Sequence, residues 1–148
     1  MKYISQLIKQ KESVGRFFDQ TGIYGRTYRE GGWTGKEVLI HMKDAETVLY
    51  DRLRRVISEE NPILWYFEQD HWQKNLKYMS QDIVLAKNLF MLTRESIIEI
   101  VRMHLKESGL RKGVHSRRGA MTMKELVEFL IWHTDHHMKQ LKKIKPAA

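Results

Sequence analysis

Four long amphipathic stretches, no sustained period-two alternation and no hairpin signal predict an all-α protein built as a four-helix bundle. The chain has 148 residues, the size of one domain, so residues 1–148 are read as a single unit able to bury a sizeable core.

The first helix is expected over Ile4 to Gln20, where Ile4, Leu7, Ile8, Val14, Phe17 and Phe18 recur at helical spacing. Gly22 and Gly25 break the pattern, and Thr21 to Gly32 reads as a loop without the spacing of a phosphate-binding loop. The second helix opens at Thr34, an N-cap with Glu37 three residues on to complete a capping box, and Trp33 and Val38 placed as a hydrophobic staple. Its apolar stripe runs Val38, His41, Ala45, Val48, Leu49, Leu53 and Val56, and it should end near Ser58, before Asn61-Pro62. The aromatic-rich segment Pro62 to Ser80 reads as a crossover packed against the bundle, with a short helix around Asp70 to Tyr78.

The third long helix is expected from Gln81 to Glu107, capped by Ser80. Ile83, Leu85, Leu89, Leu92, Ile97, Ile100, Val101, His104 and Leu105 are its core material, and Gly109 is the stop. A basic, Gly-rich loop from Leu110 to Met121 follows. The fourth long helix, Thr122 to Lys143, repeats the opening of the second: Thr122 and Glu125 form a capping box, with Met121 and Leu126 as the staple.

The absence of Cys excludes thiolate metal sites, a Cys nucleophile and disulfides. No apolar stretch approaches the ~20 residues of a membrane helix. The N-terminal run turns charged before any signal segment could form, so a soluble cytoplasmic protein with no membrane partner is expected. Lys and Arg number 26 against 18 Asp and Glu, a net charge of +8. The positives are spread out and no recognition-helix, zinc-finger or RNP pattern accompanies them, so nucleic acid is not expected as the main partner.

The chemistry-bearing residues are histidines. His133 and His137, four apart on a helix, stack on one face, and His41 on the second helix is the natural third member of a set facing the bundle interior. Three neutral imidazoles with an open fourth position are the donor set of a catalytic zinc site; nickel, iron or manganese would also suit it. Asp44, one turn past His41, is a candidate acceptor for a ligand's distal N–H or a base for a bound water, and Gln140 could reach a ligand or substrate from the face of His137. These two are the candidate catalytic groups. An HxxxH pair alone also fits core histidines bonded to backbone or carboxylate. His71, His104, His115 and His136 have no spacing that ties them to the set, and surface or structural roles are their default.

The run Trp33-Thr34-x-x-Glu37-x-x-x-His41-x-x-Asp44-Ala45-Glu46 resembles the start of the second helix in the DinB/YfiT-like superfamily. Gly119-x-Met121-Thr122-Met123-x-x-Leu126 followed by His133-x-x-x-His137-x-x-Gln140-Leu141 resembles that family's last helix, and Asp70-x-Trp72 its middle segment. The resemblance covers most of the chain in the right order; Leu141 stands where Ile is usual. It implies an up-down-down-up four-helix bundle, often a homodimer, with a divalent metal held by His41, His133 and His137. It also implies metal-dependent activity on a small-molecule substrate, either hydrolysis through an activated water or transfer through a low-molecular-weight thiol. Arg117 or Arg118 could hold an acidic thiol cofactor. The alternative is a non-catalytic metal-binding or structural scaffold.

Overall fold

The computed structural model describes residues 1–147. Helix α1 spans Lys2–Phe18 and α2 spans Gly35–Ser58. A crossover then carries strand β1 (Ile63–Leu64), the short helix α3 (Gln69–Asn75) and a 3-10 turn at Tyr78–Ser80. Helix α4 (Ile83–Ser108) leads into strands β2 (Lys112–His115) and β3 (Gly119–Thr122), and α5 (Met123–Lys143) closes the bundle. No helix among the described residues is long and apolar enough to cross a membrane.

Helix direction follows from two apolar clusters at opposite ends of the bundle. One gathers Leu7, Leu53, Ile97 and Leu126; the other gathers Val14, Leu39, Phe90 and Leu141. Helices α1 and α5 therefore run from the first cluster to the second, while α2 and α4 run the opposite way. The four-helix bundle is up-down-down-up. Two consecutive long helices that run parallel need a connection as long as themselves, which explains the crossover between α2 and α4.

A buried polar layer separates the clusters. The Arg94 guanidinium on α4, fully buried, donates to both Glu46 carboxylate oxygens on α2. It also donates to the Leu7 carbonyl and Gln10 Oε1 on α1, at 3.2 and 3.1 Å, and to Thr134 Oγ1 on α5 at 2.9 Å. Gln10 Nε2 in turn donates to the Ile131 carbonyl at 2.8 Å. Each polar side chain of this layer thus has a partner, as a low-dielectric interior requires.

Three expectations need correction. The cap of α4 is Asp82, whose Oδ1 accepts from Leu85 N at 2.9 Å; Ser80 belongs to the preceding 3-10 turn. The buried face of α4 is Ala86, Phe90, Arg94, Ile97 and Val101, whereas Leu85, Leu89 and Leu92 are exposed. Reading apolar residues as core fails there because the Glu46 carboxylate brings an arginine inside. The segment 110–121 is no irregular loop: β2 pairs antiparallel with β3 and parallel with β1. Its turn is a three-residue loop closed by Gly119 at φ +79°, the left-handed position that such a hairpin assigns to glycine. Gly113 lets the strands approach, since a Cβ there would lie 2.8 Å from the Pro62 carbonyl oxygen.

Removing one member of a buried ion pair leaves the other charge uncompensated. Arg94→Ala is expected to cost about 3–5 kcal/mol in urea unfolding. The paired change Arg94→Met with Glu46→Leu should cost less than half as much, and a loss below about 1 kcal/mol for the single change would show that the layer does not hold the bundle.

Candidate metal centre

The two helices that carry the histidines are phased by the same local device. At the start of α2, Thr34 Oγ1 accepts from Glu37 N at 3.2 Å while Glu37 Oε1 accepts from Thr34 N at 3.0 Å. At the start of α5, Thr122 Oγ1 accepts from Glu125 N at 3.1 Å and Glu125 Oε1 accepts from Thr122 N at 3.2 Å. Both capping boxes stand where the sequence places them. Each satisfies helix-end N–H groups that would otherwise lack partners.

His41, His133 and His137 come together with one donor nitrogen from each inside a 4.8 Å group. His133 Nε2 lies 3.1 Å from His41 Nε2 and 3.1 Å from His137 Nε2. Four-coordinate zinc with nitrogens at its usual bond length would set ligand pairs about 3.3 Å apart. The three rings therefore fit one divalent ion with little movement. Without a cation the arrangement is frustrated, because His133 Nε2 faces two other ring nitrogens and the protons available cannot satisfy every contact.

The supports of the rings differ. His137 Nδ1 lies 2.7 Å from Gln140 Oε1, an acceptor that fixes the proton on Nδ1 and turns the Nε2 lone pair toward the centre. Gln140 thus reaches His137, about one helical turn back along α5. His41 Nδ1 is buried without a partner among the described residues. Its ring is held by packing, edge-on to Trp33 at 5.4 Å and tilted against Phe67 at 6.1 Å. Burial, reinforced by neighbouring imidazoles, pushes His41 down to about 3 and His133 down to about 2. Burial takes His137 down to about 4, against the Gln140 hydrogen bond that favours its charged form. All three rings are neutral near pH 7, as ligation requires.

Asp44 does not serve His41. Its Oδ2 accepts from the Tyr78 hydroxyl at 2.6 Å and its Oδ1 from Lys43 Nζ at 2.6 Å, so it ties the crossover turn to α2. Three residues of helix place it about 60° round from His41, and it is not among the residues lining the cavity beside the triad.

The triad lines a cavity of about 320 Å³ with Phe67, Phe129 and Trp132 among its walls. Three further groups there were not tied to the site by spacing. His136 stacks on Trp132 at 5.2 Å near the mouth. His115 is buried, carried inward by β2. Arg52 also faces the cavity from α2. The sequence signal for His115 was the turn before Gly119, which implies a hairpin and therefore an inward-facing position.

The family model of the DinB superfamily matches residues 20–141. A protein of Oceanobacillus iheyensis with the provisional name of metal-dependent hydrolase is 24% identical over 144 residues, 93% of this chain and 83% of its own length. Among solved structures, YfiT from Bacillus subtilis, described as a probable metal-dependent hydrolase with an unusual four-helix bundle topology, superposes with a TM-score of 0.87 at 19% identity. That match covers 95% of this chain and 82% of YfiT. The mycothiol-dependent maleylpyruvate isomerase superposes with a TM-score of 0.75 at 12% identity, covering 95% of this chain and 59% of that one. At these identities the structural matches establish the fold.

The lowered histidines set a pH dependence for the metal-free protein. Unfolded, each ring titrates near 6.5 and takes up a proton as pH falls; folded, it resists until about 4 or lower. Stability is therefore full above pH 6.5 and declines below it, by about 1–2 kcal/mol per histidine between pH 7 and pH 5. Urea unfolding at the two pH values should show this loss, reduced by one histidine's share in His137→Ala. An identical pH dependence in that variant would count against a neutral buried triad.

Proposed function

The chain belongs to the DinB superfamily, and from that premise we propose that it is a divalent-metal-dependent enzyme acting on a small molecule in the cavity beside the three histidines. The observation that carries this reading is the meeting of three Nε2 atoms, neighbours 3.1 Å apart, at the wall of a cavity. A purely structural histidine cluster would spread its ring nitrogens onto separate partners.

His41, His133 and His137 are the proposed ligands, with zinc foremost and nickel, iron or manganese as alternatives. Bound there, a divalent ion supplies Lewis acidity, lowering the pKa of a water or thiol beside it and polarising an electrophile. Gln140 positions His137 by holding its Nδ1 proton. Phe67, Phe129 and Trp132 limit water and present an apolar surface to the substrate. No acidic side chain lines the cavity, so proton transfer falls to histidine, and His136 at the mouth is the group placed to exchange a proton with solvent.

Hydrolysis is the leading reaction, supported by the relatives' names. Transfer through a low-molecular-weight thiol is the second, supported by the mycothiol-dependent structural neighbour. The exposed row Leu85, Leu89 and Leu92 on α4 supports a homodimer.

Elemental analysis of the purified protein should find about one metal per chain, lost in His41→Ala and in His137→Ala. No metal after reconstitution with zinc, nickel, iron or manganese would reject the reading. Gln140→Leu should keep the site but weaken metal affinity about 10–100-fold, measured by chelator competition; unchanged affinity would remove Gln140 from the ligand support.

A further inference from the structure

Arg52 is buried, 6% exposed, yet makes no ion pair among the described residues. Its Nη2 donates to the Trp65 carbonyl at 2.5 Å, and its Nε is buried without a partner. The structure's other deeply buried guanidinium, Arg94, is matched by the Glu46 carboxylate. Arg52 therefore bears a desolvation cost that its hydrogen bond to the Trp65 carbonyl offsets only in part, and a buried cation without an ion pair at a cavity is a functional signal.

Its neighbours are also basic. His115 lines the same cavity, and its Nδ1 accepts from the backbone N–H groups of Arg117 and Arg118, both at 3.1 Å. In the neutral ring the proton then sits on Nε2, which becomes a donor without a protein partner among the described residues. Burial lowers the His115 pKa, with Arg52 and Arg118 lowering it further. At the rim, the Arg118 guanidinium lies 4.4 Å from the centre of the Phe129 ring, without a carboxylate in ion-pair reach among the described residues. Among the described residues, the cavity lining includes no Asp or Glu.

We propose that Arg52, His115 and Arg118 form an anion subsite that selects substrates bearing a carboxylate, whose remainder extends along Phe67, Phe129 and Trp132 toward the histidine triad. This deepens the function proposed above, because it assigns the substrate class of the same cavity. The protein donors are Arg52, the His115 ring N–H and Arg118. A guanidinium fork matches the two oxygens of a carboxylate; a phosphate in the same place is the alternative that the titration separates. Arg52 and Arg118 are specificity-determining residues in this scheme: they fix the end of the substrate that does not react.

The test is calorimetric titration with 3-phenylpropionate, 3-phenylpropanamide and phenyl phosphate, on zinc-loaded protein and on protein stripped of zinc. The acid should bind about tenfold tighter than the amide in both forms, as one charge-assisted contact allows. That preference should vanish in Arg52→Gln and shrink about threefold in Arg118→Gln, with binding of the amide unchanged. Equal affinity for acid and amide, no binding of the acid, a preference that survives both substitutions, or tighter binding of phenyl phosphate would each overturn the proposal. If Arg52→Gln does not fold, Arg118→Gln at the exposed rim decides. Zinc content, measured on the same samples, separates the two ideas: a chain that takes up no zinc yet prefers the acid rejects the metal centre and keeps the subsite. A preference that disappears on zinc removal assigns the carboxylate to the ion and rejects the subsite.

Discussion

One guanidinium touches all four long helices. Arg94 reaches from α4 to Glu46 on α2, to the Leu7 carbonyl and Gln10 on α1, and to Thr134 on α5. Apolar contacts on either side of this layer would tolerate sliding of one helix along another, because dispersion has no direction. Hydrogen bonds with fixed geometry do not. His41 lies five residues before Glu46, and His133 immediately precedes Thr134. The layer that sets the helices' register therefore also sets the height at which three ring nitrogens meet.

Chain direction builds the rest of the site. Since α2 and α4 run the same way, the chain must return along the bundle between them, and that return supplies Phe67 beside His41. Strand β1 of the return pairs with β2, which brings His115 inward and puts Arg118 at the rim. Helices α2 and α5 hold the triad, while crossover and hairpin supply other walls of the cavity. Helix α2 carries one member of each chemical half, His41 and Arg52, and the hairpin adds His115 and Arg118 to the basic one.

Periodicity was enough to read the bundle, and cap chemistry was enough to read where α2 and α5 begin, because both signals are local. The histidine trio was legible because helix spacing places His133 and His137 together and one more histidine lies in the α2 stripe. The buried face of α4 was not legible: Leu85, Leu89 and Leu92 have the pattern of a core, and only the distant Glu46 explains why Arg94 displaces them. The hairpin was missed because two four-residue strands are too short for alternation to register, and with it went His115. Asp44 was misplaced because its partner, Tyr78, is set by the crossover's path and not by spacing along α2.

The unequal support of the three rings has a mechanical meaning. His133 and His137 ride on one helix as a fixed jaw. His41 is the opposing jaw on another helix, its Nδ1 unpartnered among the described residues and its outer faces packed on Trp33 and Phe67. A change in the spacing of α2 and α5, or a displacement of Phe67, acts on His41 first. The stiffness of the aromatic wall then governs how closely the three ring nitrogens are held together.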